Sequence, residues 1–259
     1  MFFGSISCGG HEIKQPKELK KIEIQSEPVQ TEESSFVLLK TVPHDTKAYT
    51  QGLIISDGFL YESTGHYGAS SIRKIDIESG SILSKTPLPN LYFGEGITVF
   101  QDKIYMLTWQ SRQCLIIDKQ TLEIKDAFSY SGEGWGITDN GEMLIMSDGS
   151  NILKFIDVSS RKVVKMLSVT SMGKPLDRLN ELEFVDGKIF ANIYEEDKIA
   201  VINPESGNVE IILDFSELRK YEKDNALAEV MNGIAYDKVN DVFILTGKNW
   251  QNYYHIKIN

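Results

Sequence analysis

The sequence predicts an all-β protein made of five similar units, and three observations carry that expectation. From Phe36 onward, short apolar runs alternate with turn dipeptides such as Asp57-Gly58, Asp186-Gly187 and Asn240-Asp241. Asp-Gly between β-rich runs is a strong hairpin signal. The runs also recur at similar intervals. First strands start at Gly52, Gly96, Gly136, Leu182 and Gly233, and third strands end at Asp76, Asp118, Asp157 and Asn203. Finally, helix-like composition is confined to residues 216–228. Repeats of roughly 40–50 residues with four strands each are the signature of a β-propeller with one blade per repeat. The fold expected is a five-bladed β-propeller of four-stranded antiparallel blades.

The elements follow in order. Residues 36–42 form an early strand. Blade one begins at Gly52, turns at Asp57-Gly58 and ends its third strand at Asp76. Blade two begins at Gly96 and turns at Gln101-Asp102. Blade three begins at Gly136 and turns at Asp139-Asn140-Gly141. Blade four begins at Leu182 and turns at Asp186-Gly187. Blade five begins at Gly233 and reaches only three strands before Asn259. The early strand supplies the missing fourth and closes the ring. Residues 216–228, in the longest connection between blades, are expected as a short helix or a lid.

Composition limits the functional classes. The chain has 259 residues, is 41% hydrophobic and carries a net charge of −10. No basic stripe is available for nucleic acid. Cys8 and Cys114 stand in different surroundings and make no disulfide framework. Four scattered histidines offer no zinc spacing. Residues 1–35 differ from the rest: they are rich in Lys, Glu, Gln, Ser and Pro and read as a tail and linker. Ser5-Ile6-Ser7-Cys8-Gly9-Gly10 resembles the end of a bacterial lipoprotein signal, with Ser5 where a Leu is usual. The expectation is an exported protein of the periplasm or cell surface, tethered to the membrane through a lipid on Cys8, with residues 36–259 as its one folded domain.

In a propeller the innermost strands line the axis, and the segments leading into them gather at one end. Gln51, Glu95, Trp135, Asn180 or Glu181, and Asn232 hold comparable positions in successive repeats. One carboxylate, amides and an indole then meet in a concave, aromatic-walled mouth, which is the usual description of a ligand site. Turn formation asks for Gly, Asn and Asp. It does not ask for Trp135 between two glycines, or for Glu95 in Phe93-Gly94-Glu95-Gly96. The loop Gly65-His66-Tyr67 is expected at the rim.

These residues carry a family resemblance. Thr50-Gln51-Gly52-Leu53, Glu62-Ser63-Thr64-Gly65, Phe93-Gly94-Glu95-Gly96-Ile97, Leu107-Thr108-Trp109, Leu179-Asn180-Glu181-Leu182-Glu183, Asn232-Gly233-Ile234-Ala235 and Thr246-Gly247-Lys248-Asn249-Trp250 resemble the plant and bacterial glutaminyl cyclases. The resemblance implies a five-bladed propeller acyltransferase that converts the N-terminal glutamine of a peptide or protein to pyroglutamate and releases ammonia. It implies Glu95 as general acid/base and Lys248 as a stabiliser of the developing oxyanion. Gln51, Trp109, Trp135, Asn180, Tyr194 and Asn232 would hold the substrate. Tyr194 stands where the family commonly has a third tryptophan, and as a strand aromatic it is equally suited to the core. Glu181 reads as a partner of loop backbone, and Glu62 as a residue behind the site.

No cofactor is required by this chemistry, no catalytic metal is expected, and a structural calcium in a loop is compatible with it. The chain is expected to be a monomer. Two other readings stay open: a non-catalytic propeller that binds peptides at the same mouth, and a metal-dependent propeller lactonase or esterase. The second would need several carboxylates on the axis to hold Ca²⁺.

Overall fold

The computed structural model describes residues 1–4 and 36–259. The expected lipid site at Cys8 and the linker after it lie outside the described residues. The strands in chain order are β1 (Phe36–Pro43), β2 (Thr50–Ser56), β3 (Phe59–Thr64), β4 (Ser71–Asp76), β5 (Ile82–Pro87), β6 (Gly94–Phe100), β7 (Lys103–Thr108), β8 (Gln113–Asp118), β9 (Ile124–Ser129), β10 (Ile137–Asp139), β11 (Met143–Met146), β12 (Ile152–Asp157) and β13 (Lys162–Ser168). A two-residue pair, β14 (Thr170–Ser171) and β15 (Lys174–Pro175), precedes β16 (Leu179–Val185), β17 (Lys188–Ile193), β18 (Lys198–Ile202) and β19 (Val209–Asp214). The chain ends with β20 (Met231–Asp237), β21 (Val242–Gly247) and β22 (Asn252–Ile258).

Five four-stranded antiparallel sheets result. Four are consecutive meanders, β2 to β5, β6 to β9, β10 to β13 and β16 to β19. The fifth has the order β20-β21-β22-β1, so the early strand pairs with the last one, Phe36 opposite Ile258 and Pro43 opposite Asn252. This closure removes the two open edges that the ends of the chain would otherwise leave.

The core is divided among the seams between blades. Tyr61 and Ile72 of blade one meet Ile97 and Met106 of blade two. Tyr105 and Leu107 of blade two meet Ile137 and Leu144 of blade three. Phe155 of blade three meets Leu182 of blade four, and Val201 of blade four meets Ile234 of blade five. Val42 and Tyr253 of blade five meet Leu53 and Leu60 of blade one. Each blade is apolar on both faces, because each is covered on both sides.

The turns show why these residues fold this way. Asp57 and Gly58 both have positive φ, at 51° and 75°, the requirement of a type I′ hairpin turn. The aspartates at the ends of third strands cap the next turn. Asp76 accepts from the backbone N–H groups of Glu78 and Ser79, and Asp118 from those of Gln120 and Thr121. The recurring Asp is therefore a turn former.

One expectation is corrected, and of two alternatives left open one is met. Inner strands β2, β6, β16 and β20 start two or three residues before the expected Gly52, Gly96, Leu182 and Gly233, because each carries a bulge at its start and the ladder resumes beyond it. The 216–228 segment, expected as a short helix or a lid, is the short helix: a 3₁₀ turn, Ser216–Leu218, continues into a four-residue helix α1, Arg219–Glu222. Glu222 accepts the backbone N–H of Gln251 at 2.9 Å and the hydroxyl of Tyr254, which pins the segment against blade five.

Candidate active site

The bulges set the site. On β2 the ladder steps from Thr50 to Gly52 while its partner moves by one residue, leaving Gln51 as the extra residue. On β6 it steps from Gly94 to Ile97, on β16 from Leu179 to Leu182, and on β20 from Met231 to Ile234, each against two partner residues. A bulge re-aims side chains without ending the strand. It turns Gln51, Glu95 and Asn180 toward the end of the axis. Blade three does the same ahead of β10, where the Trp135 N–H donates to the Ser147 carbonyl and the Ser147 N–H to the Gly136 carbonyl.

Glycines let these starts crowd together. A Cβ on Gly52 would lie 2.4 Å from the Ile97 nitrogen, one on Gly96 would lie 2.7 Å from the Trp135 carbonyl oxygen, and one on Gly136 would lie 2.0 Å from that of Asn180. Blades one to four are thus in backbone contact beneath the mouth. Glu181 completes the floor. Its carboxylate crosses the axis to accept the N–H of Leu53 in blade one at 3.2 Å and that of Ile234 in blade five at 2.9 Å.

Above this floor is a cavity of about 250 Å³. Gln51, Glu95, Trp109, Trp135, Asn180, Tyr194 and Lys248 line it, with Tyr49, His66 and Phe93. Asn232 is expected in the wall but is placed behind it. It is fully buried and donates through Nδ2 to the Thr50 carbonyl at 3.1 Å and to Gln51 Oε1 at 3.4 Å. Its job there is to orient the Gln51 carboxamide. Glu62 is also outside the cavity, in a buried network with His44, Thr50 and Arg73.

Glu95 is 5% exposed, and its carboxylate accepts no hydrogen bond from any described residue. Burial pushes its pKa well above the usual carboxylate range, the Lys248 charge opposes that rise, and the Glu133 charge adds to it. Lys248 is buried too, and burial lowers its pKa while Glu95 and Glu229 resist. No ion pair joins Glu95 and Lys248. Instead, Lys248 Nζ lies 4.7 Å from the ring centre of Tyr49 and 5.3 Å from that of Tyr194. Two aromatic faces hold the ammonium by cation–π attraction. This places Tyr194 in the cavity wall, its ring centre 5.4 Å from that of Trp135 in an edge-on arrangement.

Glu133 carries no role in the sequence-based reading, yet it accepts both cavity indoles. Trp109 Nε1 donates to its Oε2 at 2.7 Å and Trp135 Nε1 to the same atom at 3.0 Å. Gln110 reaches Oε1 at 3.3 Å. The available signal was Gly132-Glu133-Gly134, the same pattern as Gly94-Glu95-Gly96. Asn180 Oδ1 is buried with no partner among the described residues, so it presents an unmet acceptor.

The glutamine cyclotransferase family model matches residues 13–258. The chain belongs to the glutamine cyclotransferase family. It is 34% identical over 220 residues to the glutaminyl-peptide cyclotransferase of Arabidopsis thaliana, covering 83% of this chain and 69% of that protein. It superposes on the glutaminyl cyclase of Myxococcus xanthus with a TM-score of 0.83 at 31% identity, over 90% of this chain and 99% of the other. In this cyclotransferase family member, the cavity wall offers one carboxylate, an unmet amide acceptor, one ammonium and a surround of aromatic rings. Such a set can move a proton, neutralise a developing negative charge and exclude water. Among the described residues, no group of three or more His, Cys, Asp or Glu side chains is placed to hold a metal ion.

Proposed function

We propose that this protein cyclises the N-terminal glutamine of peptides or proteins, with Glu95 as the proton-transfer group. The observation that carries the proposal is the Glu95 carboxyl itself, buried without a hydrogen-bond partner among the described residues and facing a cavity that also holds Lys248. The neutral α-amine attacks the side-chain carboxamide carbon, and the C–N bond of the lactam forms. Glu95 accepts a proton from that nitrogen and returns it to the departing amide nitrogen, which leaves as ammonia. One carboxyl serves both transfers because they occur in sequence at neighbouring atoms. Its raised pKa makes the protonated form a readier partner in the return step than an ordinary carboxylate would be.

The other groups have complementary parts. Asn180 Oδ1 accepts an N–H of the substrate, and Gln51, oriented by Asn232, offers its N–H₂ to a substrate carbonyl. Lys248 stabilises the oxyanion of the tetrahedral intermediate. Trp109, Trp135 and Tyr194 pack on the glutamine side chain. The family name and the names of both relatives support this reading. The metal-dependent alternative finds one carboxylate in the cavity wall where it needs several.

The proposal extends to an exported, monomeric enzyme held at the membrane through Cys8, supported by Ser5-Ile6-Ser7-Cys8 and the polar linker after it. Mass spectrometry of the native protein reads a lipid on Cys8 directly. The activity is tested by ammonia release from a Gln-initiated dipeptide. Glu95→Gln is expected to lower kcat by about 10²–10⁴, the usual span for a lost acid/base group. Full activity in that variant would remove Glu95 from the mechanism.

A further inference from the structure

The geometry points to Glu133 as the positioning residue that fixes the two cavity indoles, Trp109 and Trp135, as one rigid wall. This rests on the cyclisation reading for its kinetic consequences, though not for its structural ones.

The two indoles come from different blades. Trp109 directly follows β7 of blade two, and Trp135 precedes β10 of blade three. Among the described residues, the only hydrogen bond of each indole N–H runs to Glu133. A single carboxylate oxygen, Glu133 Oε2, takes both indole N–H groups at 2.7 and 3.0 Å, and Oε1 takes Gln110. Hydrogen bonds to an ionised acceptor are the shorter and stronger kind. Burial alone would raise the Glu133 pKa, but the bonds from Trp109, Trp135 and Gln110 outweigh it and hold the carboxylate below its ordinary range. Indole is a donor only, with one N–H, so each ring is left a single polar tether, and both tethers end on one atom.

The tether has a second effect. The charges that act on Glu95 are those of Lys248 and Glu133; the hydroxyls of Tyr49, Tyr130 and Tyr194 feel the Glu95 charge in turn, and His66 lines the same cavity. Of the two that are charged, Lys248 favours the Glu95 carboxylate and Glu133 favours its protonated form. Glu133 thus sets where the rings stand and adjusts how readily Glu95 holds a proton.

The test compares Glu133→Gln with Glu133→Ala. Gln keeps a carbonyl acceptor and loses the charge, whereas Ala loses both. Trp250 is fully buried and donates to the Glu229 carbonyl at 3.0 Å, so it is a silent third tryptophan. Without substrate, acrylamide quenching of tryptophan emission is expected to rise several-fold in Glu133→Ala and to stay near wild type in Glu133→Gln. With a Gln-initiated peptide, Glu133→Ala is expected to raise KM about tenfold with a smaller change in kcat. Glu133→Gln is expected to keep KM and move the acid limb of the kcat/KM profile to lower pH. Unchanged quenching and unchanged KM in Glu133→Ala overturn the proposal. So does a KM rise in Glu133→Gln equal to that in Glu133→Ala, because the conservative variant then fails to rescue. The quenching measurement needs no turnover. It reads the indole tether even if the protein does not cyclise glutamine.

Discussion

Glu95 shows how one residue's chemistry is made by its surroundings. A carboxyl in water is ionised at neutral pH, whereas burial pushes this one upward against the pull of Lys248. Proton acceptance needs the ionised form, so kcat/KM is expected to rise with pH along a limb above the ordinary carboxylate range. Lys248 favours the ionised form. Lys248→Met is therefore expected to shift that limb to higher pH, besides lowering kcat; a limb that stays in place would separate Lys248 from Glu95. Tyr194 invites a second test. Its ring meets Lys248 and Trp135, while its hydroxyl donates to no described residue. Tyr194→Phe is expected to keep KM within about twofold, and Tyr194→Ala to raise it by about tenfold, roughly the 0.5–2 kcal/mol of a cation–π contact and its packing. Glu95, Lys248 and the two tryptophans could be read from the sequence because their motifs run in order along the chain. Asn232 was misplaced by that reasoning. Motif position says which blade start a residue occupies; Asn232 shares its bulge position with Glu95 and Asn180, and it is the hydrogen bonds to Thr50 and Gln51 that hold it behind the wall.

At the scale of elements, the bulged strand starts and the glycines beneath them act together. Gly136 has its missing Cβ 2.0 Å from the Asn180 carbonyl oxygen and 2.7 Å from Glu181 Cα. Both neighbours are backbone and cannot rotate away. Gly136→Ala is expected to cost about 1–3 kcal/mol or more, as overpacking does, and to raise KM because Trp135 and Asn180 move with the backbone. Denaturant unfolding and steady-state kinetics on the same preparation check both effects. Blade number, strand number and ring closure were legible because turn chemistry recurs with the repeat. Strand starts were not, since a bulge has no fixed composition and is defined by the partner strand. Glu133 was hidden for a related reason. Its flanking glycines are visible, but the second indole it holds arrives from another blade.

The whole molecule is a ring held at one clasp, where β1 meets β22, and a buried ionic network stands beside that clasp. Glu62 accepts from Thr50 at 2.7 Å and lies 2.8 Å from His44 Nε2 and 3.4 Å from Arg73. Burial would raise its pKa, but His44, Arg73 and Thr50 outweigh that and hold it below the ordinary value. A depressed folded value stabilises the protein fully above the unfolded carboxylate value of about 4.3. That contribution is lost as pH falls through this value toward the lower folded one. Wild type is thus expected to lose melting temperature steeply below about pH 5. Glu62→Gln is expected to be less stable by about 3–5 kcal/mol at pH 7, as when one partner of a buried pair is removed, and to show a flatter acid dependence. Parallel melting curves for the two proteins would show the wrong group had been chosen. The floor at Glu181 has a consequence of a different sort. A propeller stopped on its axis is a blind alley with one door. A peptide inside it can extend outward in one direction only, so a glutamine with chain on both sides has nowhere to put the second strand. Moving the glutamine from the first to the second position of a peptide acylates its α-amine and so abolishes turnover in any cavity; the blind end is read by competition, which is expected to be lost as well. Exclusion of internal glutamines from the cavity would belong to the shape of the dead end, and ammonia, made at its bottom, would have to leave past the peptide that released it or wait for that peptide to go.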